Sequence, residues 1–361
     1  MSEGRAVRVD LEADVLTAIG ALGGTAGGPL SPWPRDAAGV EERARERARA
    51  LVEGPSGRSL AAALAAIATA TARTSVRVTN SDGGVESAFY TSDAHAPVSM
   101  LDLAQDGKVR LEDPAPGSEL TEFVEIYVGR SARKSRTVSL DLGVDEAHVL
   151  AALVDVQRRK RMADIAAGRT TPSPVRIDEL QAELALPDRG TFWLLDAVRR
   201  QCASEFTAAS VDAALTELAG RGLVETTPGA VRLAGPADGL DRQFLVVGTA
   251  VELENLRADG NGELKKVGFT CLQSGVNDLL TVECLQTGAH IETISAEDLL
   301  AYVAHFVGAE PPSPRTDSAP APTPAPTVVR PSFCTICGAR VARDERFCTS
   351  CGTPVAEMAT R

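Results

Sequence analysis

Long hydrophobic runs are missing from this 361-residue chain. The longest unbroken apolar stretch, Leu60 to Ala68, spans nine residues, under half of the ~20 that a membrane-crossing helix needs. The opening MSEGRAVRVDLEADV has no basic region followed by an apolar one, so a secretory signal is not expected. These absences predict a soluble, cytoplasmic protein. Lysine is scarce, five residues against 32 arginines in an Ala- and Gly-heavy chain, as GC-rich bacterial coding produces. Positive charge is in deficit as well: Lys+Arg 37 against Asp+Glu 49 gives a net charge of −12, which excludes a general coat for nucleic acid or anionic membrane. Catalytic signatures are absent too. The sequence contains no G-x-x-x-x-G-K-[ST], no G-x-S-x-G and no H-E-x-x-H, and His95, His148, His290 and His305 stand isolated from catalytic or ligating partners. The glycines of residues 20–28 precede Pro and Trp-Pro rather than a helix, so they cradle no phosphate. Asp259 to Glu263 imitates a calcium loop, but Leu264 occupies the position that needs Gly, and a hairpin turn accounts for it better. Nothing here argues for enzyme chemistry.

What is present divides the chain. Eight of the 21 prolines fall between Pro311 and Pro331, so residues 309–332 are expected to form an extended spacer that makes neither helix nor sheet. By formal charge the spacer is neutral, the segment after it is +1 and the body before it is −13. Within the body, residues 41–52 and 58–73 read as helices. Period-two segments follow, SVRVT, VESAFY, VSMLDL, KVRLE and EFVEIYV, separated by turns such as Asp82-Gly83-Gly84 and Asp106-Gly107. A second pass begins with a long helix from Asp145 to about Ala167. Shorter helices are expected at 178–186, 191–202 and 208–220, then strands FLVVGTAVEL, LKKVGFTCLQ and DLLTVECL, and a closing helix at 296–307. Helices followed by strands, twice, predict an α+β body that duplicates one unit. The expected parts are 1–144, 145–308, the spacer 309–332 and a module at 333–361.

That module carries the sharpest motif. Phe333-Cys334-Thr335-Ile336-Cys337-Gly338 recurs as Phe347-Cys348-Thr349-Ser350-Cys351-Gly352. Two residues between cysteines let both thiolates face one cation, and the following Gly turns backbone amides toward the sulfurs. Cys334, Cys337, Cys348 and Cys351 would therefore bind one tetrahedral Zn2+, closed to water and structural, whose binding supplies the folding energy. A disulfide pair and a redox Cys-x-x-Cys are the competing readings. The segment resembles the small zinc ribbons at the termini of many bacterial proteins, which implies a compact interaction module. The other cysteines, Cys202, Cys271 and Cys284, lie among apolar neighbours and are expected to be buried free thiols.

Residues 174–233 resemble a winged helix: VRIDELQAELAL, FWLLDAVRRQC, ASVDAALTELAGRGLV and a hairpin around Pro228-Gly229. In the third helix Val211, Ala214, Leu215 and Leu218 make the buried stripe. Its opposite face offers Asp212, Thr216 and Glu217, which phosphate would repel, and lacks base-reading Arg, Asn or Gln. Two basic clusters remain, Arg130, Arg133, Lys134 and Arg136, and Arg158, Arg159, Lys160 and Arg161. They could dock nucleic acid or an acidic partner, or serve as a solvated loop and as cations at a helix C-terminus.

The acidic two-part body and the ending HIETISAEDLLAYVAHFV, a strand leading into a closing helix, are similar to bacterial type VII secretion chaperones. The resemblance implies a soluble, non-enzymatic binder of a helical client; the added zinc ribbon departs from it. The expected function is a cytosolic adaptor or chaperone-like protein whose body binds a protein partner while the tethered ribbon adds a second contact. The alternative is a winged-helix DNA-binding regulator with an accessory ribbon.

Overall fold

A computed structural model describes residues 7–22, 28–32, 41–55, 57–92, 95–103, 108–169, 174–202, 210–258, 263–275, 277–285 and 288–307. The chain divides into two compact units, Met1–Pro312 and Ser313–Arg361. Every described residue belongs to the first; the proline-rich segment from 309 and the four-cysteine segment lie outside the described residues.

β1 (Val7–Glu12) runs straight into α1 (Ala13–Leu22). After α2 (Glu42–Glu53) and α3 (Gly57–Ala68) comes a meander, β2 (Ala72–Asn80), β3 (Gly83–Ser92), β4 (His95–Leu103) and β5 (Lys108–Asp113), closed by α4 (Glu119–Val128). The plan then repeats. β6 (Ser139–Gly143) runs straight into α5 (Val144–Ala166). A larger helical section follows, β7 (Val175–Arg176), α6 (Ile177–Leu184), α7 (Leu194–Gln201), α8 (Val211–Gly220), β8 (Val224–Thr227), β9 (Ala230–Leu233) and α9 (Leu240–Gln243). A second meander completes the unit, β10 (Thr249–Ala258), β11 (Leu264–Ser274), β12 (Asp278–Leu285) and β13 (Gly288–Ile294), closed by α10 (Ala296–Val307).

The fold is α+β. Ten strands form one antiparallel sheet in the order β1-β5-β4-β3-β2-β10-β11-β12-β13-β6. Read outward from the centre, each half repeats the other's order, so the halves are related by an approximate twofold axis through the β2–β10 pair. There Val76 lies opposite Leu253. The junction is pinned by a buried polar pair: Asn255 Nδ2 donates to Thr74 Oγ1 at 2.7 Å, in a place where an unpaired amide would be costly and a shifted register would separate the two. Because β6 pairs with β13, the second half starts at Ser139, not at 145.

One face of the sheet centre is covered by the two closing helices. Val76, Val78, Val251 and Leu253 meet Leu120 and Val124 of α4 and Leu299, Leu300 and Val303 of α10 in one apolar cluster. On the opposite face each half has its own cover. α3 lies against β3 and β4, while α7 lies against β11 and β12, and α5 against β13. Strands β7, β8 and β9 form a second small sheet, ordered β7-β9-β8, and the apolar residues of this section join α5 in the same core.

Four expectations need correcting. EFVEIYV belongs to helix α4, not to a strand: Leu120, Phe123, Val124 and Val128 recur at helical spacing and are buried, while Ile126 is left 78% exposed. The Ala-rich helix stops at Ala68, and Arg73 already belongs to β2. The strand placed at Phe244 begins only at Thr249, because Leu240–Gln243 closes a helical turn that buries Leu240 and Phe244. Finally, Cys202 and Cys271 are buried but Cys284 is exposed, since β12 ends at the next residue.

At the edge of the sheet, strand β6 is not bare. Arg221, just past α8, donates from Nη2 to the Asp141 carbonyl at 2.7 Å. The Gly143 N–H donates to Glu146 Oε2 at 2.6 Å.

Candidate functional site

The two helical covers stop on either side of β2 and β10, and a cleft of about 380 Å3 opens over these strands. Strand alternation decides what lines it. On β2 the residues Val76 and Val78 turn toward α4 and α10, so Arg73, Ser75 and Arg77 turn to the cleft. On β10, Val251 and Leu253 turn the same way, which leaves Glu252 and Glu254 on the floor. β3 adds Glu86, β11 adds Lys266, and the last turn of α7 brings Arg200 and Gln201 over the wall.

Every charged side chain lining the cleft has an opposite partner. Glu86 receives Arg73 and Arg77, both at 2.7 Å. Arg200 Nε lies 2.9 Å from Glu252, and Lys266 Nζ lies 2.8 Å from Glu254. Gln201 Nε2 donates to Thr270 Oγ1 at 3.0 Å, tying α7 to β11. Glu86, hydrogen-bonded to Arg77 and backed by Glu252 and Glu254, holds that guanidinium's pKa above its usual value. Two of the cations reach out, Arg77 at 56% exposed and Lys266 at 48%, while Arg73, Arg200 and the carboxylates lie lower. A partner entering the cleft therefore meets Arg77 and Lys266 first, over a floor whose charge is already balanced.

The basic clusters end elsewhere. Arg158 lies buried against Asp155 at 2.9 Å. Asp155 also accepts the N–H groups of Leu194 and Leu195 at 3.2 and 2.8 Å, capping α7. Arg159 pairs with Glu183, Lys160 with Glu179 at 2.8 Å and Arg161 with Asp241 at 2.6 Å. The Trp193 ring stacks under Arg158, Arg159 and Arg189, with guanidinium carbons 4.9, 5.6 and 5.8 Å from its centroid. In the loop, Arg130 binds Glu125 at 2.6 Å and Arg136 donates to the carbonyls of Gly235 and Pro236 at 3.3 and 2.8 Å; Arg133 and Lys134 are exposed. The helical cluster is internal fastening rather than a docking face. On α8 the stripe Val211, Ala214, Leu215 and Leu218 is buried, while Asp212, Thr216 and Glu217 face solvent.

No family model matches the chain, and no curated protein does. The fold is similar to that of the Mycobacterium tuberculosis type VII secretion system chaperone EspG5, solved in complex with a PE25–PPE41 dimer. The TM-score is 0.46 at 8% identity, over 85% of this chain and 98% of that one. Among the described residues, no helix is long and apolar enough to cross a membrane, and no group of three His, Cys, Asp or Glu is placed to hold a metal ion.

Sequence reasoning missed the cleft residues. A signal was present in Ser75-Val76-Arg77-Val78 and Val251-Glu252-Leu253-Glu254, where polar or charged residues alternate with apolar ones. Complementary charges of that spacing mark paired strands with one uncovered face.

Proposed function

We propose that the chain is a non-enzymatic, cytoplasmic adaptor of the chaperone-like kind, which holds a protein partner in the cleft over β2 and β10. One observation carries this reading: the central strands of a large sheet stay uncovered on one face, between two helical walls, and every charge lining the opening is neutralised in place. Such a surface suits a polar protein segment that exchanges hydrogen bonds with it. It is a poor phosphate binder, because each guanidinium already faces a carboxylate.

The order of elements over 174–233 supports reading that segment as a winged helix in an architectural role. Its apolar residues belong to the common core, and the face that would meet DNA carries Asp212 and Glu217. The second module of the proposal is the zinc ribbon, with one structural Zn2+ held by Cys334, Cys337, Cys348 and Cys351. It is tethered by the proline-rich spacer and adds affinity through effective concentration rather than through packing.

Affinity capture with the intact protein tests the reading, beside an Arg77→Ala/Lys266→Ala variant whose melting temperature is checked. A stoichiometric protein retained by the first and lost by the second is expected. Sequence-enriched DNA without a stoichiometric protein would replace the adaptor with the DNA-binding regulator. Metal analysis should give one zinc per chain, lost in Cys348→Ser. Cleavage near Pro320 should leave the body's melting temperature unchanged while weakening capture.

A further inference from the structure

We propose that Cys202 and Cys284 form an oxidisable pair, which closes to a disulfide under hydrogen peroxide and bolts the end of α7 to β12. Placement carries the argument. Leu280, Val282 and Cys284 alternate along β12, and the first two join the core that contains Leu194, Leu195 and Val198 of α7. Cys284 therefore points to the face on which α7 lies. Cys202 ends that helix, its N–H donating to the Val198 carbonyl at 2.7 Å. The Cys202 Sγ lies 3.8 Å from the Gly288 carbonyl oxygen, and Gly288 is paired with Leu285, the neighbour of Cys284. The Cys284 thiol is also among the groups that raise the pKa of Cys202.

The strand side of the pair is fixed. Cys284 sits in a strand paired with β13, and the hairpin end is held close to β6: a Cβ on Gly288 would come 1.8 Å from the Leu142 carbonyl oxygen. Closure to an S–S bond of about 2.05 Å then asks the end of α7, with its Cys202 side chain, to make the approach.

Exposure gives the order of events. Cys284 is open to solvent and Cys202 is buried, so the peroxide meets Cys284 first. One oxygen is transferred to the Cys284 sulfur, giving a sulfenic acid and one water. The Cys202 sulfur then attacks that sulfur. The S–O bond breaks, the hydroxyl leaves with the Cys202 proton as a second water, and the S–S bond forms. Two thiols lose two electrons and two protons, and the peroxide is reduced to two waters. Burial and the nearby Cys284 push the Cys202 thiol up to about 12. It is a weak nucleophile toward free oxidant and depends on the oxidised sulfur being held beside it. Arg200 and Gln201 immediately precede Cys202, so the bond would fasten the cleft wall that they build.

The test is peroxide treatment of the intact zinc-loaded protein, with peptide mapping under non-reducing conditions. A peptide linking Cys202 to Cys284 should become the main oxidised product and disappear with dithiothreitol. In Cys202→Ala, dimedone should trap Cys284 as its sulfenic acid at least tenfold more than in the parent. In Cys284→Ser, an exposed position that leaves the core untouched, Cys202 should stay unmodified. Overoxidation of Cys284 to the sulfinic acid in the parent without the linked peptide, or linkage of Cys202 to any other cysteine, would overturn the pair.

Discussion

The two halves of the sheet share one strand order but are fastened by different means. In the first half, the helical layer is held by small apolar residues, Ala44, Ala48, Ala63, Ala66 and Ala68 among them, and its ion pairs lie at the surface, as Arg47 with Glu12 does. In the second, the 23-residue α5 is riveted to α6 by Arg159–Glu183 and Lys160–Glu179, to α9 by Arg161–Asp241, and to α7 by Asp155, which pairs with Arg158 and accepts the Leu194 and Leu195 N–H groups. The sheet plan tolerates either solution because it asks only for alternation on the strands and an apolar helix face. What differs is specificity. Alanine packing admits small slips, whereas a buried carboxylate that caps α7 and neutralises Arg158 admits one arrangement.

Breaking that rivet should have the largest effect. Asp155→Ala removes the acceptor of two α7 N–H groups and leaves Arg158 buried without its counter-charge, and is expected to cost about 3–5 kcal/mol in urea unfolding. Leu253→Ala comes next, at about 2–5 kcal/mol for a buried leucine. Since Leu253 faces Val76 at the shared junction, hydrogen exchange should quicken in both meanders. Faster exchange confined to β10–β13 would show the halves to be energetically separate.

The pH response sharpens the contrast, because among the described residues both strongly shifted carboxyls lie in the second half. Burial, only partly offset by Arg158 and the α7 amides, pushes Asp155 up to about 6. Burial, followed by the neighbouring Asp188, does the same to Asp196. Between pH 4 and 6 the folded chain then holds more protons at these sites than the unfolded chain, so their contribution to stability falls as pH rises through that window and is level above it. Carboxyl NMR should find midpoints near 6, and Asp196→Asn should flatten part of the slope. Smallest of all, Arg47→Ala should change stability by under about 1 kcal/mol; a larger loss would mean that the first half also relies on ion pairs.

Legibility in the sequence followed how local the deciding interactions are. β3, β5, β11 and β12 show alternation within a single segment, and α5 and α10 show an apolar pattern long enough to stand alone. β1 and β6 are short and fuse into helices, so nothing punctuates them. EFVEIYV offers apolar residues at both periods, and only packing against α10 decides for the helix. The cleft was illegible as a site because Arg77, Glu86, Arg200 and Glu252 meet across 175 positions of chain. For the same reason Arg158 to Arg161 looked like a surface patch: Glu179, Glu183 and Asp241, which neutralise most of it, are remote in sequence.

The guarded β6 edge has one more consequence. A strand at the rim of a sheet offers unpaired peptide groups to any passing chain. Here the Asp141 carbonyl is occupied by Arg221 and the Gly143 N–H by Glu146. An incoming strand would first have to evict a guanidinium and break a helix cap. The ladder thus terminates chemically as well as topologically at its tenth rung, and the stacking of molecules through this rim into longer ribbons, a first step toward fibrils, is opposed by two side chains, one from α5 and one from just past α8.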